Sequence, residues 1–265
     1  MKIGPHDLAK APIVVAEIGN NHEGDYGLAA ELIHLAAKAG AHAVKFQTID
    51  PGHLADSPER LEQLNRICLP WERFHDLEKV ARHEGVLFMS TAFNLAAVEY
   101  LKPLVPCWKL ASRSYDDFVL SATMYQTGKP VLASCGMGSP PWYGPRMIPM
   151  HCVSDYPTAP EDAEVPKVAF FAKGNEFVGY SDHTLGTRAC ILAAGYGARV
   201  IEKHFTIAHD HSDFRDHQLS ATPEQLREIV DGVAEAAELA KIKIGSILDY
   251  QRGYSLQDEE VQAGL

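Results

Sequence analysis

The sequence lacks the features of a secreted or membrane-anchored protein. Its first ten residues contain no basic segment followed by an apolar run, and no stretch of about 18 apolar residues could span a bilayer. The five cysteines are odd in number and form no CxxC pair, which indicates neither a disulfide framework nor a zinc knuckle. We therefore expect a cytoplasmic protein whose cysteines are reduced and mostly buried.

Positive charge is also scarce. A net charge of −11 argues against nucleic acid and anionic membranes as partners, because a negative field repels polyanions. Any anionic substrate must be met by a few locally placed lysines or arginines. No low-complexity tract or linker divides the 265 residues, and their 46% hydrophobic content can build one large core. We expect a single domain over residues 1–265.

The sequence does contain a regular alternation of short β-prone runs with helix-length segments. The runs cover residues 13–18, 43–48, 86–91, 107–111, 130–135, 147–153, 177–181 and 199–205. Most are separated by the segments 28–39, 58–83, 96–101, 118–125, 187–196 and 222–240. This pattern predicts parallel strands closed into a (β/α)8 TIM barrel. A doubly wound open sheet is the alternative, although no GxGxxG follows the first run.

One connection cannot contain a helix. Residues 137–146 include three prolines and two glycines, so the barrel should lack the helix after its fifth strand. The outer faces of the neighbouring strands would then need cover, for which Trp142, Tyr143 or a partner subunit is available.

Polar residues are concentrated where the predicted strands end, which is where such barrels carry their active sites. Residues two apart on a strand share a face, because side chains alternate. Three pairs meet this condition: Lys45 with Gln47, Ser181 with His183, and Glu202 with His204. Charges that face a barrel interior are costly unless paired or ligated, so their concentration indicates a site. For any one of these residues alone, a hydrogen-bonded polar side chain is the competing interpretation.

Two chemistries suit these residue types. His183 and His204 end consecutive strands and could bind Mn(II) or another divalent ion, with hydrogen bonding to neighbours as the alternative. Lys45 and Lys109 could hold a phosphate and a carboxylate with the help of nearby hydroxyls, or could simply extend to solvent. The eighth loop, residues 209–217, is dense in His and Asp, but its spacing fits no metal template and favours a solvated loop. Arg215 and Asp216 could still reach the substrate from it.

Six segments resemble the sialic acid synthase (N-acetylneuraminate synthase) family: residues 16–25, 44–48, 129–137, 151–158, 180–186 and 201–206. The resemblance runs in order from the first strand to the eighth. It implies condensation of phosphoenolpyruvate with an N-acylated amino-sugar aldehyde such as N-acetylmannosamine, giving a nine-carbon 2-keto acid and phosphate. It also implies a homodimer. Synthases of this family usually continue into an antifreeze-like domain that gives an arginine to the sugar; none follows here, so we expect weak sugar binding.

The resemblance also implies roles for individual residues. His183 and His204 would bind Mn(II) or Mg(II), and we expect Glu17 to handle protons. The residues expected to bind phosphoenolpyruvate are Lys45, Thr91, Lys109, Ser112, Ser134 and Ser181. Those expected to face the sugar are Gln47, Tyr156, Glu202 and Asp216.

Three other functions remain open at this point. A synthase of the ketodeoxyoctulosonate phosphate type would need a second basic cluster for a distal phosphate, and the sequence shows no obvious one. A catalytically weak barrel could serve as a binding module, although Glu17, Lys45 and both histidines are present. A metal-dependent sugar isomerase or aldolase would usually use more carboxylate ligands.

Overall fold

The computed structural model describes residues 1–137, 139, 143–214 and 216–241, so Trp142 and Arg215 lie outside the described residues. Its strands are β1 Lys2–Ile3, β2 His6–Asp7, β3 Ile13–Gly19, β4 Ala43–Thr48, β5 Leu87–Ala92, β6 Trp108–Leu110, β7 Val131–Ser134, β8 Met147–His151, β9 Gly179–Asp182 and β10 Val200–His204. Strands β3 to β10 are parallel and close into a barrel in which β10 pairs with β3. The predicted TIM barrel is confirmed, and an open sheet is excluded.

Helices connect most of the barrel strands. They are α1 Tyr26–Lys38, α2 Pro51–Leu54, α3 Pro58–Ile67, α4 Arg73–His83, α5 Leu95–Leu101, α6 Phe118–Gln126, α7 Lys167–Phe171, α8 Arg188–Gly195, α9 Asp216–Leu219 and α10 Pro223–Leu239. Several begin at a side chain that accepts a hydrogen bond from the first turn. The longest of these, α10, has a full capping box between Thr222 and Gln225. Pro223 occupies its first helical position. No helix in the described part of the chain is long and apolar enough to cross a bilayer.

The segment 58–83, predicted as one helical stretch, is two helices. Helix α3 ends at Ile67 and α4 begins at Arg73, with Pro70 between them. Proline has no amide hydrogen and disfavours helical backbone at the residue before it, so the helix stops there. The break separates α3 from α4.

The connection between β7 and β8 carries no helix in its described residues, as predicted. The outer faces of these strands are nevertheless buried, with Val131 and Ala133 at 0% exposure. Arg146 stacks on the ring of Tyr125 at 4.3 Å, which ties the connection to α6. Tyr143, one of the residues predicted to provide cover, remains largely exposed.

Two apolar clusters hold the barrel together. One lies between the strands and the helices, and the other fills the lower half of the barrel interior. The inner cluster includes Val15, Met89 and Ile148 from the strands, together with Ile3 and Leu8. Ile3 and Leu8 come from the β1–β2 hairpin, which the sequence pattern did not predict and which closes the floor. All five cysteines are free and all but Cys68 are buried, as expected.

Candidate active site

The carboxyl ends of the barrel strands surround a cavity of about 1200 Å³. Apart from Arg215, which lies outside the described residues, the residues that the sequence nominated for catalysis or binding line it: Glu17, Lys45, Gln47, Thr91, Lys109, Ser112, Ser134, Tyr156, Ser181, His183, Glu202, His204 and Asp216. Strand alternation explains this convergence, because the residues of the inner apolar cluster precede these polar residues on the same inward faces. The cavity therefore has an apolar floor and a polar upper layer.

Four charged side chains form the centre of the upper layer. Lys45 Nζ lies 2.7 Å from a carboxylate oxygen of Glu17 and donates to Thr91 Oγ1 at 3.0 Å. Lys109 Nζ donates to Glu202 Oε1 at 2.9 Å, and Lys45 is 3.7 Å from the other oxygen of Glu202. All four are almost fully buried, so each charge depends on its neighbours for stabilisation.

The two carboxyl groups are not equivalent. Burial raises the pKa of Glu17 above its ordinary value, and the nearby Glu202 adds to this effect although Lys45 opposes it. Burial acts on Glu202 in the same direction, but Lys109 and Lys45 outweigh it and hold the pKa of Glu202 at about 2. Glu202 is thus a fixed carboxylate, whereas Glu17 is the better proton carrier. Two ammonium groups around one fixed carboxylate leave the layer ready for an anion.

Hydroxyl groups extend this layer towards β7. Ser181 Oγ donates to Glu202 Oε1 at 3.0 Å, and the backbone amide of Gly136 donates to Ser112 Oγ at 3.2 Å. A Cβ atom at Gly136 would collide with the hydroxyls of Ser112 and Ser154. The glycine therefore lets these hydroxyls pack closely against the backbone, which groups them near the cavity.

The two histidines stand side by side, with ring centroids 5.6 Å apart. Burial lowers the pKa of both His183 and His204 to about 4, so both imidazoles are neutral at physiological pH. His183 Nδ1 faces the carbonyl oxygen of Val153, which leaves Nε2 available to a ligand. His204 Nδ1 is buried with no hydrogen-bond partner in the described structure. Neutral, sterically fixed nitrogens of this kind fit a divalent metal ion.

The pair does not amount to a closed metal cage. Within the described residues, no three or more His, Cys, Asp or Glu side chains form a metal-binding group. A metal ion at His183 and His204 would take its other ligands from water or substrate, which is the arrangement of catalytic rather than structural sites.

The four residues expected to face the sugar lie in different settings. Gln47 donates to Glu17 Oε1 at 3.0 Å, and Glu202 joins the two lysines. The ring of Tyr156 packs on His183 at 4.1 Å, and Asp216 opens α9 at the cavity edge. Tyr156 and Asp216 thus border the histidine side, while Gln47 and Glu202 belong to the charged layer.

A family model for the NeuB family matches residues 32–141 and 143–244. The chain belongs to the NeuB family. A protein of Methanocaldococcus jannaschii without an assigned function is 35% identical over 249 residues, covering 88% of this chain and 74% of its own. The N,N'-diacetyllegionaminic acid synthase of Legionella pneumophila is 31% identical over 273 residues, with the same coverage. Relatives in the NeuB family are thus sialic-acid-type synthases, and the resemblance inferred from the motifs is confirmed.

Solved structures agree with this membership. The crystal structure of an N-acetylneuraminic acid (sialic acid) synthetase from Leptospira borgpetersenii, in complex with citrate, matches with a TM-score of 0.81 at 26% identity. The match covers 93% of each chain. The barrel described above is therefore the fold of a NeuB-family synthase.

The eighth loop of this NeuB-family barrel is exposed at His209, Asp210, His211 and Asp213, as its spacing favoured, but it is anchored by Ser212 and His217. Glu23, from the loop after β3, accepts from Ser212 Oγ at 2.7 Å and lies 3.1 Å from His217 Nε2. His217 is fully buried, and its Nδ1 lies 2.6 Å from Thr206 Oγ1. His217 holds the end of the loop in place because both of its ring nitrogens are engaged. Local spacing alone does not reveal these contacts.

Sequence reasoning missed the cavity residues of α3. Arg60, Gln63 and Arg66 line the cavity on one side, and Arg113 lines it after β6. Strand alternation points only to the last residues of the strands, whereas α3 belongs to the long β4–β5 connection. The helix break at Pro70 was the available signal, since it makes α3 a helix separate from α4.

Proposed function

We propose that this NeuB-family chain condenses phosphoenolpyruvate with an N-acylated amino-sugar aldehyde resembling N-acetylmannosamine, giving a sialic-acid-type 2-keto acid and phosphate. The observation that carries the proposal is the buried layer of Lys45, Lys109, Glu17 and Glu202 beside two neutral histidines. The homodimer and the cytoplasmic location remain predictions.

Phosphoenolpyruvate would bind at the two lysines. Its carboxylate and phosphate need cations, which Lys45 and Lys109 supply, and hydrogen-bond donors, which the hydroxyls of Thr91 and Ser112 supply. Ser134 and Ser181 line the same space. Glu202 keeps Lys109 and Lys45 oriented when no anion is bound, because it stays ionised between them.

The aldehyde would lie at the histidine pair. A divalent ion held by His183 and His204 would polarise the aldehyde carbonyl. Carbon 3 of phosphoenolpyruvate then bonds to the aldehyde carbon, and the aldehyde oxygen takes up a proton. Tyr156 and Asp216 border this position and would orient the sugar.

Water completes the reaction at carbon 2. The new carbon–carbon bond leaves carbon 2 electron-poor, and Glu17 would take the proton from the water that adds there. Breaking the bond between carbon 2 and the phosphate oxygen releases phosphate and leaves the 2-keto acid. The raised pKa of Glu17, caused mainly by burial, suits this proton transfer at neutral pH.

The proposal predicts release of inorganic phosphate from phosphoenolpyruvate only when an amino-sugar aldehyde and a divalent metal ion are both present. The assay uses Mn(II) or Mg(II) and a panel of amino-sugar aldehydes, with mass spectrometry of the keto-acid product. N-acetylmannosamine is the reference acceptor. Phosphate release without any acceptor, or no product with every member of the panel, would contradict the proposal.

The metal assignment makes a second prediction. His183→Ala and His204→Ala should each weaken Mn(II) binding and reduce turnover by at least about 100-fold, since second-shell changes alone cost about 10- to 100-fold. Calorimetric titration with Mn(II) measures the first effect independently of activity. His83→Ala, at the exposed end of α4, is the control and should change neither. Normal Mn(II) binding in both variants would refute the assignment.

A further inference from the structure

The loop that follows β3, residues 20–25, meets the eighth loop at the edge of the cavity. Glu23 makes this contact: its Oε1 accepts from Ser212 Oγ at 2.7 Å and lies 3.1 Å from His217 Nε2. Burial raises the pKa of Glu23, but hydrogen bonds from His217 and Ser212 outweigh burial and hold this pKa below its ordinary value. Glu23 is therefore an ionised acceptor at neutral pH, held by two groups of the eighth loop.

The backbone at Glu23 indicates that its side chain is required. Its φ of 49° lies in the left-handed region, which disfavours residues that carry a Cβ atom. Glycine adopts such a conformation readily, as the neighbouring Gly24 does with a φ of 81°. A residue persists in a disfavoured conformation only when its surroundings hold it, and here the carboxylate is held by Ser212 and His217. The strain and the contacts together indicate a functional constraint on the carboxylate.

Helix α9 is held by the β3 loop at two points. Asn21 is fully buried, and its side-chain amide donates to Ser220 Oγ at 2.9 Å. Ser220 Oγ in turn donates to the carbonyl oxygen of Asp216 at 2.5 Å. Glu23 reaches the other end of the helix through His217. A helix of four residues is not stable by itself, so the position of α9 depends on these contacts.

Helix α9 places one charged group at the cavity. Asp216 is its first residue and lines the cavity together with His204. Burial lowers the pKa of His204, and the negative charge of Asp216 opposes this lowering, so the carboxylate lies within electrostatic range of the imidazole. Any movement of α9 would therefore move a charge relative to the histidine pair.

We propose that Glu23 is a positioning residue for the acceptor aldehyde: it holds α9, and with it Asp216, beside the histidine pair. The inference rests on the proposed function and adds to it a residue that need not touch either substrate. A displacement of about 1 Å at a substrate-orienting group can cost about 10²-fold in rate, so loss of this anchor should weaken the use of the acceptor.

Phosphoenolpyruvate binding should not depend on Glu23. Lys45 and Lys109 take their positions from the buried layer on the strands, where they bond to Thr91 and to Glu202. A change in α9 should therefore separate the two substrates. This separation distinguishes a positioning role from a general loss of structure.

The test is Glu23→Ala with N-acetylmannosamine as the acceptor. Its KM for the acceptor should rise by about tenfold or more, while calorimetry without acceptor should show an unchanged affinity for phosphoenolpyruvate. Glu23→Gln keeps an oxygen that accepts from Ser212 but loses the charge, so its KM should lie between those of Glu23→Ala and the wild type. Hydrogen exchange followed by mass spectrometry should show faster exchange of the amides of residues 216–221 in Glu23→Ala.

Glu164→Ala is the matched control. Glu164 also has a positive φ, 43°, and pairs with Lys167, but it lies outside the described lining of the cavity. Its removal should change neither KM, nor affinity for phosphoenolpyruvate, nor exchange in residues 216–221.

Two results would overturn the inference: an unchanged KM for the acceptor or unchanged exchange of α9 in folded Glu23→Ala. An equal loss of affinity for phosphoenolpyruvate would overturn it as well, because Glu23 would then support the whole site. If the wild type forms no keto-acid product, the proposed function fails, and the exchange comparison still decides whether Glu23 holds α9.

Discussion

Lys109→Ala should nearly abolish turnover with phosphoenolpyruvate. Lys109 is one of two cations in the buried layer, and its removal leaves Glu202 as an anion where substrate oxygens should bind. Loss of a single preorganised electrostatic contact costs about 10²- to 10³-fold in rate, and the uncompensated charge of Glu202 should push the loss to the upper end. Phosphate release gives kcat/KM, and calorimetry gives the affinity for phosphoenolpyruvate.

Folding must be separated from binding in this experiment, because an unpaired buried carboxylate also destabilises the barrel. Lys109→Met/Glu202→Gln removes both charges, so it should fold and still fail to bind phosphoenolpyruvate. Lys79→Ala, which removes an exposed lysine of α4, should behave as wild type. Unchanged affinity for phosphoenolpyruvate in a folded Lys109 variant would rule out the binding site proposed here.

The Lys203→Ala variant should unfold far more easily than variants with a substitution at the surface. Lys203 and Asp182 are both fully buried, with Lys203 Nζ 2.7 Å from Asp182 Oδ2. Asp182 also accepts from Tyr180 and Thr184, so the ion pair is the centre of a hydrogen-bonded network. Removing one member leaves a buried charge without compensation, which typically lowers the free energy of unfolding by about 3–5 kcal/mol.

Urea denaturation followed by circular dichroism measures this loss. Lys203→Met/Asp182→Leu, which removes both charges, should recover much of the stability because the cost arises from the unpaired carboxylate. The exposed Lys79→Ala variant is again the control and should show little change. A Lys203 variant with wild-type stability would mean that the network does not stabilise the barrel.

Much of this architecture could be predicted because it depends on local periodicity. The eight β-prone runs became the barrel strands, and strand alternation correctly assigned Lys45, Glu202 and His204 to the inside. Closure of the barrel brings together residues that no local pattern relates. Strand β10 pairs with β3, so His204 lies opposite Glu17 in the register although 187 positions separate them along the chain.

The features that were missed depend on loops or on very short elements. A hairpin of two-residue strands lies below what hydrophobic alternation can detect, although Gly4 with its positive φ marks the turn. The contacts of Glu23 with the eighth loop join residues almost 200 positions apart, and neither partner has a distinctive spacing. Helix α3 reaches the cavity through a connection whose path is set by packing of Leu64 and Ile67.

The alternation of β9 and β10 also bears on how such enzymes diversify. Ser181, Glu202 and His204 face the cavity, while Asp182 and Lys203 between them anchor the strands from the opposite side. The cavity layer and the buried ion pair are thus formed by interleaved residues with different hydrogen-bond partners. Substitutions in the loops around the mouth can alter the cavity without removing the buried pair of Lys203 and Asp182.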